Sequence, residues 1–163
     1  MIETEAVSRW MRNIAEGGAS SASRSNALIG VTWLIATTVA PGQRVTLILD
    51  VDLQPNMHAY APGVAGGYIS IDWKMPDSPA AAVHPAIFPR SEKLYLKAIG
   101  ETVPAYRNHF RLTRDITIAR PLDASGEFTV AGALRYQACD DRVCYIPQQL
   151  HLAWTFKFVQ APE

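Results

Sequence analysis

Cys139 and Cys144 are the only thiols in the chain, and Asp140, Asp141, Arg142 and Val143 lie between them. Four such residues can form a turn that brings the two β-carbons within the roughly 4 Å that a disulfide requires. A ring this small restrains the unfolded chain by only about 2 kcal/mol on the chain-entropy model. Reversible chemistry therefore explains the pair better than stabilisation does. That chemistry needs a thiolate to attack a disulfide sulfur and a second thiol close by to resolve the mixed disulfide. Arg142 favours a thiolate between the cysteines while Asp140 and Asp141 oppose it, which leaves the direction of any shift in thiol acidity open. The spacing by itself also admits an inert structural bridge, half of a metal site, or two buried free thiols.

Other chemistries find little support. His58, His84, His109 and His151 would be needed to complete a zinc site with two thiolates, and none lies at a short ligand spacing from either cysteine. The chain contains no H-E-x-x-H, P-loop, G-x-S-x-G or C-x-x-C pattern, so neither a metal nor another cofactor is expected. Fifteen basic residues balance fifteen acidic ones, so no long-range field favours nucleic acid or an anionic membrane. The most apolar stretch, Ala27 to Ala40, is too short to span a bilayer and is broken by threonines. An internal signal core would also be apolar, but Val31, Trp33, Ile35, Thr37 and Val39 share one face of a strand, and a strand is the preferred reading. Met1 to Ile14 carries Glu3 and Glu5 and does not read as a secretory signal. The expectation is a segment cut from a longer precursor, or from a protein with another domain upstream.

The elements that must hold the cysteines are strands. Val7, Trp10, Met11 and Ile14 predict a short helix over Thr4 to Glu16, and Gly17 to Asn26 reads as a flexible linker. The expected organisation is thus a helix and linker over residues 1–26 and a main domain over 27–163. In the main domain, period-two runs predict seven strands: Val31 to Val39, Arg44 to Leu53, Tyr68 to Trp73, Lys93 to Ile99, His109 to Ile118, Glu127 to Gln137 and Leu150 to Val159. The first two should be neighbours joined by a tight turn at Pro41-Gly42, and Pro76 to Pro89 should be a long connection. Short loops without intervening helices predict an all-β, two-sheet sandwich.

Two segments carry a family resemblance. YQACDDRVCYIPQ, around the cysteines, resembles the cysteine segment of the N-terminal domain of the thiol:disulfide interchange protein DsbD family. PGQRVTLILDVDLQPNMHAYAPG resembles that family's entry, including an H-x-Y-x-P element at His58, Tyr60 and Pro62. The resemblance implies an immunoglobulin-like sandwich, a periplasmic or other extracytoplasmic location, and thioredoxin-like proteins as electron donor and acceptor. It also implies that Cys144 forms mixed disulfides with partners and that Cys139 resolves them. Tyr60 matches a tyrosine near the family's active site, and Tyr136 and Tyr145 flank the cysteines in the same way. The resemblance offers Glu101 as a stand-in for acidic residues near that site, beside the plainer reading of a solvated carboxylate.

The chain also departs from the family. Its best-known members shield the disulfide with an aromatic-tipped cap loop, whereas Ala98 to Ala105 holds no phenylalanine. They also place one more residue between the cysteines. A rival reading is a non-catalytic sandwich that binds a protein, with the disulfide merely pinning a hairpin; metal delivery through the cysteines and a histidine is a third.

Overall fold

The computed structural model of the chain describes residues 21–25, 28–34, 36–121 and 124–159, and its regular elements are β-strands. In chain order these are β1 (Ser21–Ser25), β2 (Ile29–Leu34), β3 (Ala36–Val39), β4 (Arg44–Leu53), β5 (His58–Tyr60), β6 (Asp72–Lys74), β7 (Ala81–Ile87), β8 (Glu92–Leu96), β9 (Glu101–Arg107), β10 (His109–Ile118), β11 (Glu127–Tyr136), β12 (Ala138–Cys139) and β13 (Gln148–Phe158). One sheet has the order β1-β2-β4-β10-β7, and a second has the order β3-β13-β11-β6. Alternation turns Leu47, Leu49 and Val51 of β4 and Leu112 and Ile116 of β10 into a core shared with Val130 and Leu134 of β11 and Leu152 and Phe156 of β13. Full burial of each such side chain is worth about 1.5–3 kcal/mol. Tryptophans tie the layers together: Trp154 packs on Trp33 at 6.4 Å and on Trp73 at 5.7 Å between ring centroids. Trp33 Nε1 donates to the Ala153 carbonyl on the opposite sheet at 3.0 Å. The result is the immunoglobulin-like sandwich that the strand pattern and the resemblance predicted.

A third sheet, with the order β12-β5-β9-β8, prolongs one end of the sandwich. The long pair β4 and β10 feeds it directly. After β4 the chain turns at Asn56 (φ 66°) into β5, and β9 turns at Asn108 (φ 59°) into β10. Both are left-handed positions, which asparagine tolerates better than most residues. From the opposite layer β11 continues through Gln137 into β12. Strands of both layers therefore converge on this sheet.

The described residues hold thirteen strand segments rather than seven, because strands that change sheets break into pieces. The segment read as one strand over Val31 to Val39 is two. Its first part, β2, pairs antiparallel with β4 as expected, while its second, β3, crosses to the other sheet and runs parallel to β13. Pro76 to Pro89 is not simply a connection, since it contains β7. Pro85 is accommodated there because β7 is an edge strand whose register against β10 slips between Arg114 and Ile116, and a bulge needs no ladder donor at that point. Ser21–Ser25, assigned by composition to the linker, pairs with β2; an edge strand needs only backbone hydrogen bonds and tolerates polar side chains. Tyr68 to Trp73 is regular only from Asp72. The predicted helix over Thr4 to Glu16 lies outside the described residues.

The β4–β10 ladder carries a charge cluster on its outer face. Asp50 and Asp52 are buried there, and Arg111 Nε and Nη2 donate to the two Asp50 carboxylate oxygens at 2.9 and 3.1 Å. His109 places Nε2 3.3 Å from Asp50 and Nδ1 3.1 Å from Asp52. Burial works against the Asp50 charge, yet the hydrogen bonds from His109 and Arg111 outweigh it and hold its pKa below the ordinary aspartate value. The Asp50 hydrogen bond, opposed by burial and aided by the charges of both aspartates, raises that of His109. A raised histidine pKa contributes stability that is fully present below about 6.5 and lost as pH rises through the folded-state value. The depressed Asp50 contributes above about 3.9 and is lost as pH falls through its own folded-state value. Urea midpoints are therefore expected to fall as pH rises above about 6.5, and this alkaline fall should be absent in His109→Gln.

Candidate functional site

The third sheet encloses a small core of its own, in which Tyr60, Val103 and Cys139 are buried and Val64, Tyr68, Leu94 and Leu96 pack against them. Cys139 ends β12, opposite His58 in the β5 ladder, and is 1% exposed. The chain then turns back, and Cys139 and Cys144 form a disulfide with their Cα atoms 4.0 Å apart. Cys144 lies on the exposed side of this turn. One sulfur-bearing residue is thus anchored in a core while the other faces solvent.

Asp140 builds the turn. Its Oδ1 accepts hydrogen bonds from the Arg142 and Val143 amides at 2.7 and 2.8 Å, and its Oδ2 accepts one from the Tyr145 hydroxyl at 3.1 Å. Backbone bonds from Asp140 N to Val143 O and from Tyr145 N to Ala138 O, each 2.9 Å, close the loop around the cysteines. The Val143 and Arg142 amides in particular hold the Asp140 carboxyl below its ordinary pKa. The sequence reading placed Asp140 in the turn but gave its carboxylate only the role of a charge beside a thiolate. The available signal was an aspartate followed by a tight turn, where its side chain can bond amides two and three residues on.

Beside the disulfide lies a shallow cavity of about 140 Å³. Its walls include His58 and Tyr60 from β5, Tyr68, the Asp140–Cys144 turn, Leu96 at the end of β8, and Ala98 and Ile99 from the β8–β9 connection. The Tyr60 hydroxyl donates to Cys144 Sγ at 3.5 Å. Burial, with Tyr68 adding to it, raises the Tyr60 pKa, so the phenol keeps its proton. Tyr68 packs on Tyr60 with ring centroids 4.7 Å apart, and His58 meets Tyr60 edge-on at 5.3 Å.

The expected site residues divide accordingly. Cys139, Cys144, His58 and Tyr60 come together, and Tyr145 holds the turn through Asp140. Glu101 stands further out, accepting a 3.3 Å hydrogen bond from the Tyr68 hydroxyl at the start of β9. Tyr136 is fully buried in the main core and donates to Gln148 Oε1 at 3.3 Å; it supports β11 rather than lining the cavity. Tyr68, Leu96 and Ile99 were not singled out from the sequence, because only the folding of the third sheet brings them to the sulfurs. Among the described residues no group of three His, Cys, Asp or Glu side chains is placed to hold a metal ion.

The family model described as thiol:disulfide interchange protein DsbD, N-terminal, matches residues 27–153. The chain belongs to that family. Among solved structures, the N-terminal periplasmic domain of ScsB from Proteus mirabilis is similar, with a TM-score of 0.59 and 16% identity over 83% of this chain and 51% of that one. The chain thus spans about half the length of that structure. The N-terminal domain of DsbD from Neisseria meningitidis, in the reduced form, aligns with a TM-score of 0.46 and 14% identity over 80% of this chain and 90% of that one. No functionally curated protein matches the chain. In this member of the DsbD N-terminal family, the region expected to carry an aromatic cap places aliphatic Ala98 and Ile99 at the cavity and then enters β9 at Glu101.

If the Asp140 carboxylate holds the cysteines together, Asp140→Ala should make the disulfide several-fold easier to reduce, as measured by thiol trapping in dithiothreitol buffers. Asp140→Asn retains an acceptor oxygen and should lie closer to wild type. A depressed carboxylate pKa gives a contribution present at neutral pH and lost as pH falls through the folded-state value, so strong acid should reproduce the alanine phenotype.

Proposed function

We propose that this chain is an extracytoplasmic thiol–disulfide oxidoreductase module. On this reading, the Cys139–Cys144 disulfide receives two electrons from a thioredoxin-like donor and passes them to an oxidised protein partner. No bound cofactor is needed, because the electrons travel as dithiol and disulfide. The observation that carries the reading is the unequal exposure of the pair. An incoming donor thiolate attacks Cys144 Sγ from the exposed side of the turn; the Cys139 sulfur departs and takes a proton, leaving a mixed disulfide on Cys144. The donor's second thiol then resolves that bond and leaves the protein as a dithiol. Delivery runs in reverse: the Cys144 thiolate attacks the partner's disulfide, and Cys139 resolves the product.

Three further features support this assignment. The Tyr60 hydroxyl is positioned to donate to Cys144 when its sulfur carries negative charge. Ile99, Val143, Tyr145 and Ile146 expose apolar surface on the turn and the facing hairpin, as expected where another protein must dock against the sulfur. Membership of the DsbD family, whose relative from Proteus mirabilis is described as periplasmic, supports the extracytoplasmic location. Among the described residues no helix is long and apolar enough to cross a membrane. The rival reading, a binding sandwich with a purely structural bridge, has no need of an exposed Cys144.

Equilibration in glutathione or dithiothreitol buffers should give a potential above about −300 mV; a pair that stays oxidised far below that value would leave the bridge structural. Cys139→Ser should accumulate mixed disulfides between Cys144 and thioredoxin-like proteins, and failure to trap any would remove the assigned roles. Tyr60→Phe should slow alkylation of reduced Cys144 at neutral pH about fivefold, the equivalent of one hydrogen bond worth about 1 kcal/mol.

A further inference from the structure

His58 has no task in the exchange scheme above, yet its position is costly. The side chain is 2% exposed, and its Nε2 is buried with no hydrogen-bond partner among the described residues. A buried polar nitrogen left unpaired carries a free-energy penalty, so a packing role alone explains it poorly. The residue stands directly opposite Cys139 in the antiparallel β5–β12 ladder. Directly opposed residues project to the same face of the sheet with their β-carbons in near contact. The imidazole also lines the cavity that contains Cys144.

Resting on the exchange reading, we propose that His58 is the proton acceptor for Cys139 when that thiol resolves a mixed disulfide held on Cys144. A buried thiol ionises reluctantly, so Cys139 needs a nearby base at the moment of attack. In the step, the Cys139 proton passes to His58 Nε2 and the Cys139 sulfur bonds to Cys144 Sγ. The bond from Cys144 Sγ to the partner sulfur breaks, and the partner leaves as a thiolate carrying the electron pair. That thiolate or cavity water then takes the proton from the imidazolium, and the partner is reduced as the Cys139–Cys144 pair is oxidised. The groups around the ring agree with this role. Burial lowers the His58 pKa and Arg107 of β9 adds to that effect, while Asp141 and Asp140 of the turn oppose it. Tyr60, its neighbour on the same strand, stays protonated. The resting imidazole is therefore neutral and able to accept a proton.

The test follows two thiolate releases when the reduced full chain meets dithiobis-nitrobenzoate. The first release reports attack by Cys144 and the second reports resolution by Cys139. His58→Gln should slow the second phase roughly 100-fold near neutral pH, the low end of the range for general acid–base catalysis. The first phase should stay within about threefold, since Cys144 makes no use of the base. In wild type the second-phase rate should level off above an inflection below about 6.5, whereas in the variant it should keep climbing past about 8.5, as a buried thiol requires. An unchanged second phase with an unchanged pH profile would overturn the proposal and leave the exchange reading intact. If His58→Gln does not fold, the wild-type profile decides: an inflection in the imidazole range supports the proposal, and one at or above about 8.5 overturns it. A wild-type chain that releases no thiolate, or a Cys139→Ser chain that retains the second phase, would instead sink the exchange reading and this inference with it.

Discussion

A two-residue strand, Ala138–Cys139, holds the chemistry in register with the fold. Its pairing with β5 sets Cys139 opposite His58 and seats it in the small core of Tyr60 and Val103. Every other feature of the site is measured from that anchor. One end of the turn is thereby fixed while Cys144 stays on its exposed side. Without the ladder, closure of the pair would rest on the turn's own hydrogen bonds alone.

The third sheet gives that anchor its stiffness. It is assembled from strands that run out of both layers of the sandwich, β4 into β5, β9 into β10 and β11 into β12. Packing energy from the large core is thereby transmitted to a peripheral site without the cysteines entering the main core. This separates two demands. The sandwich is held by Trp33, Trp73, Trp154 and the aliphatic residues around them, while Cys144 stays exposed at the disulfide end.

Electrostatics around the cavity follow the same division. Asp140 spends its carboxylate on the turn's own donors, which leaves it holding backbone rather than acting as a bare charge beside sulfur. Burial keeps Tyr60 protonated and His58 neutral, a donor and an acceptor on adjacent same-face positions of one short strand. The aliphatic wall of Leu96, Ala98 and Ile99 supplies shape without charge.

Much was legible in the chain itself. Period-two alternation located β4, β10, β11 and β13 almost to the residue, because a strand with one buried face must repeat every second position. The cysteine segment and the H-x-Y-x-P element pointed to the family, since the residue types that carry the chemistry are local. Short strands were hidden: β5 and β12 hold three and two residues, too few for alternation to register, and Pro85 masked β7. Only the tertiary structure decided which cysteine is exposed, that Tyr136 belongs to the core while Tyr60 reaches Cys144, and that His58 faces Cys139. Those facts depend on pairings between residues as far apart as 58 and 139, and no local pattern encodes the register of a long-range ladder.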